Sequence, residues 1–285
     1  MQIEINTFIQ VNLKKLTNKT FSKKYISQYI TPIIKNINNS EHKKFIIAGS
    51  QGAGKSTLAK LFKLVLENIY KKKVMLLSID DYYLSKNKRV KLSKKIHPLL
   101  STRGVPGTHD ILRLKNDIIN FQTKNFPITT PIFNKLKDDT SIKKKIIKNA
   151  EILLLEGWCC GTPSINTKYL FQNINRVETL LDKNKKWRQY YNSQLKMNYK
   201  KVFSLFDQQI YIEPPSFNYV LKWRYAQEKN NALKSRNKDF MNKKELQTFI
   251  QHYEKLTRWM MKIMPAKADI LIKIDSNQKI KKVVI

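Results

Sequence analysis

From Lys44 to Asp275 the chain alternates short, almost continuously apolar runs with longer stretches whose apolar residues recur every three or four positions. The runs are Phe45–Ala48, Val74–Ile79, Ile152–Leu155, Ile210–Ile212 and Ile270–Ile274, rich in Ile, Val and Leu. Segments this short and uniformly apolar suit the central strands of a parallel sheet, covered on both faces, where few positions point to water. Between the first two runs, Leu58, Leu61, Phe62, Val65, Leu66 and Ile69 mark the apolar stripe of a core-facing helix. Strand, crossover helix and strand make a βαβ unit. Ahead of it, Phe21, Tyr25, Ile26, Tyr29 and Ile30 fall at helical spacing before Pro32, so residues 1–42 read as a helical N-terminal extension. The remainder, 43–285, shows no internal repeat or low-complexity linker and is expected to form one α/β domain. Its core would be a parallel sheet of about five strands with helices on both faces.

Glycine sharpens this picture. The chain has seven glycines in 285 residues, where average usage of about 7% would give about 20. All of them lie in three runs, GSQGAGKST, TRGVPGTHD and LEGWCCG. Glycine survives where the backbone needs a left-handed conformation or a close approach, so these runs are the first candidates for function.

The first run, Gly49-Ser50-Gln51-Gly52-Ala53-Gly54-Lys55-Ser56-Thr57, fits G-x-x-x-x-G-K-[ST]. It follows a predicted strand and opens a predicted helix, the context that gives this pattern its meaning. The loop N–H groups would surround phosphate oxygens. Lys55 would reach the β- and γ-phosphates, and the Ser56 hydroxyl would ligate Mg²⁺. ATP and Mg²⁺ are therefore the expected cofactors, on a P-loop NTPase fold.

Two further strand ends carry acids. Asp80 and Asp81 follow the second run in Ser78-Ile-Asp-Asp-Tyr-Tyr83, at the carboxyl end where open α/β sheets bind ligands. A carboxylate there can accept a proton from an attacking hydroxyl, while its neighbour could cap the next helix; catalysis is assigned to Asp80. Glu156 ends the third run, the place of a Walker B acid that holds Mg²⁺ directly or through water.

The loop Thr102–Asp110 packs Arg103, His109 and Asp110 beside two glycines and a proline. Arginine is scarce here, with eight against a lysine default, and its planar fork suits a carboxylate or phosphate. His109 is either a core residue or a site residue, and Asp110 a helix cap. The stretch Phe133-Asn134-Lys135 with Asp138 and Asp139 could supply another wall of an acceptor pocket. Asp81, Tyr83, Arg103, His109 and Lys135 are thus the candidate acceptor contacts. A charged, glycine-free segment follows Trp223-Arg224, and a helical lid over about 216–258 is expected, with Arg224 as its cation for the transferring phosphoryl group.

Bulk properties constrain partners. The formal net charge is +34, which would suit a polyanion. The lysines are scattered, however, and come with abundant Ile and Asn, the trio an AT-rich coding sequence produces. They are read as solvated faces that draw in anionic small molecules such as ATP, and nucleic acid is not the expected partner. No apolar run reaches 18 residues, so no membrane-spanning helix is expected. The N-terminus lacks the pattern of a secretory leader, and the cytoplasm is the expected compartment. Cys159 and Cys160 are adjacent in sequence and are read as small buried hydrophobes rather than a disulfide.

These blocks together resemble the D-glycerate 3-kinase family, P-loop kinases related to phosphoribulokinase, uridine kinase and pantothenate kinase. The resemblance runs from about Lys44 to Asp275 through GSQGAGKST, SIDDYYL, HPLLSTRGVPGTHD, PIFNKLKDD, LEGWCCG, NRVETLLDKNKKWRQYYNSQL, PPSFNYVLKWRYAQE and YEKLTRWM. It implies that Asp80 is the base and Glu156 a Mg²⁺ ligand, and that a small hydroxylated, anionic metabolite, D-glycerate, is converted to 3-phosphoglycerate. The chain departs from the family in having Thr140 where an arginine usually follows the paired acids, and Phe240-Met241 in place of a Gly-Met turn. Rival readings are a kinase for a nucleoside, pantothenate or a sugar phosphate, and a regulatory or nucleic-acid-associated ATP-binding protein with no small acceptor.

Overall fold

The computed structural model describes residues 2–235 and 243–285, so the tip of the expected lid, with Phe240 and Met241, lies outside the described residues. In chain order the strands are β1 (Lys44–Gly49), β2 (Val74–Ser78), β3 (Ile128–Thr130), β4 (Phe133–Asn134), β5 (Asp139–Thr140), β6 (Lys145–Ile147), β7 (Ile152–Gly157), β8 (Gln208–Glu213), β9 (Ile270–Ile274) and β10 (Ile280–Val284). The main sheet has six strands in the order β10-β9-β8-β1-β7-β2. The five apolar runs are its five mutually parallel strands. The expected count falls one short because β10 adds an antiparallel edge to β9. Its sequence, IKKVV, leaves Lys281 and Lys282 exposed at that edge, where charge discourages pairing with other chains.

Alternation along each strand divides the core in two. Ile46, Ala48, Leu153, Leu155 and Tyr211 point to one face, against Leu114, Ile118, Trp187 and Met260. Phe45, Ile47, Ile152, Leu154, Ile210 and Ile272 point to the other, against Leu61, Phe62 and Val65 of the helix Lys55–Asn68. Helices thus cover both faces, as the apolar runs required.

The N-terminal segment is helical, as expected, but does not stand apart. The helix Gln2–Thr17 and the helical stretch from Lys23 to Asn39 bury Ile5, Ile9, Leu13, Ile26, Ile33, Ile34 and Ile37 in the second of those cores. Asn6 Oδ1 accepts a hydrogen bond from the buried Thr31 hydroxyl at 2.7 Å, locking the two pieces together. The stretch expected as a lid, about 216–258, falls within the helices Phe217–Ser235 and Lys243–Ile263 where it is described, and these are called the lid helices below for their place in the chain. Among the described residues no helix is long and apolar enough to cross a membrane, and both cysteines are buried free thiols.

Strand β1 sits where the sheet's connections diverge, since the chain leaves β1 toward β2 on one side and leaves its neighbour β8 toward β9 on the other. The carboxyl end of such a strand is the topological switch point, where open α/β sheets place their ligand. The glycine-rich loop starts there.

Candidate active site

The loop from Ser50 to Gly54 joins β1 to the helix Lys55–Asn68, and that helix points its unsatisfied N–H groups into a cavity of about 590 Å³. Gly52 has φ +77° and packs on the lid helix so closely that an added Cβ would lie 2.7 Å from Trp223 Cβ. The loop is also tied to the turn after β9, because Gln278 Nε2 donates to Gly52 O at 2.6 Å and Trp223 Nε1 donates to Ser276 O at 2.9 Å. Lys55 Nζ donates to Ser50 O at 2.8 Å. Burial lowers the pKa of the ammonium, and the carboxylates of Glu156 and Asp80 work against that shift. A triphosphate would complete the balance.

Glu156, at the end of β7, faces this ammonium across the sheet. Its Oε1 accepts from Ser78 Oγ at 2.6 Å and from Ser56 Oγ at 3.1 Å. Burial raises its pKa, opposed first by Lys55. The hydroxyl and the carboxylate converging beside the glycine-rich loop make an oxygen-only donor pair that would suit Mg²⁺.

The two acids after β2 separate. They sit in the 3₁₀ turn Ile79–Tyr82, where successive side chains point about 120° apart. Asp80 reaches the cavity, where Oδ2 pairs with Lys135 Nζ at 2.7 Å and Oδ1 accepts from Tyr83 OH at 2.9 Å. Burial alone would raise its pKa, but the Lys135 charge and hydrogen bond, with that of Tyr83, bring it down to about 2. Asp81 turns away from the cavity, and its Oδ1 accepts from Phe133 N at 3.2 Å. It anchors the hairpin that carries Lys135 rather than facing an acceptor, which corrects its assignment as an acceptor contact.

His109 also departs from expectation. It is 4% exposed and lies behind Tyr83, the two rings stacked with centroids 4.5 Å apart. Tyr199 OH accepts from Gly107 N at 2.9 Å and shares a hydrogen bond with His109 Nδ1, 2.7 Å away. Burial holds the imidazole neutral, with a pKa brought down to about 4. The histidine does not reach the cavity wall. It is a core residue that supports Tyr83.

Tyr83, Arg103, Lys135 and Arg224 do line the cavity. Arg103 forms an ion pair with Asp138. The Asp138 carboxylate also takes the guanidinium of Arg89, fully buried, at 2.5 Å. Both guanidinium groups flank the Phe133 ring, at 5.7 Å and 5.5 Å from its centroid. Tyr253, on the second lid helix, donates its hydroxyl to Arg103 O at 2.6 Å. Gly104 leaves the room for that ring, which would overlap any Cβ there. Arg224 Cζ lies 5.8 Å from the Phe249 centroid, between the two lid helices. Asp80, Tyr83, Lys135, Arg103 and Tyr253 therefore form one wall beyond Lys55. Arg89, Phe249 and Tyr253 had not been singled out. The scarcity of arginine that marked Arg103 applied equally to Arg89.

No family model matches the chain. It is 30% identical over 224 residues to the uncharacterized kinase mug58 of Schizosaccharomyces pombe, covering 73% of this chain and 76% of that protein. It is 29% identical over 243 residues to the pantothenate kinase of Streptococcus mutans, covering 73% and 74%. To the chloroplastic D-glycerate 3-kinase of Arabidopsis thaliana it is 27% identical over 216 residues, 71% of this chain and 44% of that one. Among solved structures, D-glycerate 3-kinase from Cryptococcus neoformans superposes with a TM-score of 0.72 at 21% identity, over 100% of this chain and 98% of that chain, which establishes the fold.

Proposed function

The chain belongs to the family of ATP-dependent P-loop kinases that includes the D-glycerate 3-kinases, and within it we propose that the acceptor is a small hydroxylated carboxylate, D-glycerate, phosphorylated to 3-phosphoglycerate with Mg-ATP. The observation that carries this reading is the wall beyond Lys55. There the acid suited to take a hydroxyl proton, Asp80, lies in an ion pair with Lys135, in the same wall as the Arg103 guanidinium. With Arg89 and Arg103 on Asp138 and Lys135 on Asp80, three cations meet two acids, and the surplus positive charge suits an acceptor that brings both a hydroxyl and a negative charge.

In the proposed mechanism, Lys55 and the loop N–H groups hold the phosphates. Ser56 and Glu156 would hold Mg²⁺, which when bound neutralises charge on the phosphate oxygens. Asp80 orients the acceptor hydroxyl. As that oxygen bonds to the γ-phosphorus, the bond to the bridging oxygen breaks, ADP departs, and the hydroxyl proton passes to Asp80. A carboxylate ionised down to about pH 2 is a weak base, so orienting the hydroxyl is its first contribution and the proton moves late. Arg224 answers the charge on the transferring group from the lid.

The test is ADP release with a panel of acceptors. D-glycerate is expected to stimulate release, with uridine and neutral sugars inert. Stimulation by pantothenate alone, itself a hydroxy-carboxylate, would transfer the reading to that acceptor. ATP binding with no active acceptor would favour a regulatory ATP-binding protein.

The Asp80–Lys135 pair also predicts a pH effect. Removing Lys135 leaves burial unopposed by its charge, so the Asp80 pKa rises. In Lys135→Met the acidic limb of the kcat profile is expected to move to higher pH, activity being lost as pH falls through the raised value. An acidic limb coincident with the wild-type limb would separate Lys135 from the ionisation of Asp80.

A further inference from the structure

The cavity does not end at the phosphate loop. On one side of Lys55 it is polar and charged, with Asp80, Lys135, Arg103 and Glu156. On the other it continues past Gly52–Gly54 into a lobe walled by Leu13, Leu16, Phe21 and Tyr25 of the N-terminal segment and closed by the turn Asn277–Lys279. The two ends differ in kind. The charged end has the acid, the metal-type oxygens and the ammonium that the reacting phosphoryl group needs. The other end offers aliphatic and aromatic surface beside Thr17, Lys19 and the polar side chains of the turn.

That surface is held in place. Phe21 and Tyr25 stack with centroids 5.3 Å apart, and Gln10 Nε2 donates to Phe21 O at 2.7 Å, pinning the loop that carries Phe21 to the helix Gln2–Thr17. Tyr25 OH accepts from Ile280 N at 2.6 Å, fastening the segment to the start of β10. The turn opposite is rigid as well, because Asp275 Oδ1 accepts from both Asn277 N and Lys279 N at 2.8 Å. Leu16, Phe21 and Tyr25 are nevertheless only partly buried, since their remaining surface faces the cavity. A planar apolar group held between such walls, with its phosphates on the loop, is the shape of a nucleotide.

We infer that residues 13–25 form the nucleobase subsite of this kinase, with Phe21 and Leu16 packing on the purine of ATP. The extension is then part of the active site as well as of the core. It sets affinity for the base and leaves the chemistry at the other end alone. The inference needs the kinase to use ATP and does not depend on which acceptor it takes.

The experiment is calorimetric titration of the full chain with ATP and, separately, with inorganic tripolyphosphate, which keeps the phosphates and lacks the base. In Phe21→Ala the ATP dissociation constant is expected to rise about tenfold, the scale of one lost base-aromatic contact. Tripolyphosphate affinity and kcat at saturating ATP should stay within about twofold of wild type. Unchanged ATP affinity would overturn the inference. So would equal weakening of both ligands, since the segment would then merely brace the loop. If Phe21→Ala fails to fold, Leu16→Ala, a smaller deletion at a partly exposed position, gives the same comparison. A wild-type chain that binds tripolyphosphate as tightly as ATP would remove the base subsite and keep the phosphate loop. Binding of neither ligand would remove both.

Discussion

Lys55→Ala should lower turnover by ~10³-fold or more, since a full charge aimed at the transferring phosphates is lost where single preorganised donors already contribute ~10²–10³. The half-buried ammonium lies within the field of Glu156 and Asp80, and among the described residues its hydrogen bond goes to Ser50 O. A cation with so little fixed bonding is placed for an anion that arrives with the substrate. Its removal also leaves Glu156 facing incoming phosphate oxygens without a counter-charge, so ATP affinity should fall with turnover. Steady-state ADP release and calorimetric titration with ATP read the two effects, with far-UV circular dichroism as the check on folding. Turnover within about tenfold of wild type would mean that Lys55 does not touch the reacting phosphates.

Asp80→Asn separates binding from transfer. The amide keeps an oxygen for the Tyr83 hydroxyl but loses the charge that holds Lys135 and cannot take up a proton. Turnover should drop about 10²–10⁴-fold, the range for a positioned acid–base group, while the ATP dissociation constant stays close to that of the wild type. Asp81→Asn is the matched control. Asp81 accepts one hydrogen bond, from Phe133 N, and an asparagine carbonyl can accept the same bond. Its turnover should remain within about threefold of wild type. The reverse ranking of the two variants would transfer the base to Asp81, and near-normal turnover in Asp80→Asn would remove it from the mechanism.

The parts of the fold legible in the sequence are those where burial leaves one reading. The five central strands are covered on both faces, so their apolar runs are continuous and hard to mistake. Strand β10 is mostly exposed and its IKKVV lacks a strict alternation, a pattern that a loop in so lysine-rich a chain can share. Strands β3 to β6 are two or three residues long and mostly polar, below the length at which periodicity carries information. In the site, the phosphate loop was legible because its chemistry is contiguous. The wall beyond Lys55 was legible only in part: Asp80, Tyr83, Arg103 and Lys135 could be named, but not their meeting with Tyr253, because the wall is assembled from distant segments. Arg103 and Asp138 are 35 positions apart, and Tyr253 is 150 from Arg103. His109 and Asp81 were misplaced for a related reason. Sequence locates a residue on a turn, whereas the pitch of that turn and the ring packed against it decide which way the side chain points.

The clasp at Gln278 has a consequence for the order in which the molecule becomes competent. The residue that braces Gly52 lies 226 positions downstream, and the strand start that receives Tyr25 lies 255 positions after it. During synthesis the glycine loop therefore leaves the ribosome long before its brace exists. Contacts of such separation form late, after the loop-closure entropy of the intervening chain has been met. A chain stopped short of Ser276 would carry the whole glycine-rich motif without the hydrogen bond that Gln278 makes to Gly52 O. The setting of the loop thus draws on residues that no local stretch around the motif supplies.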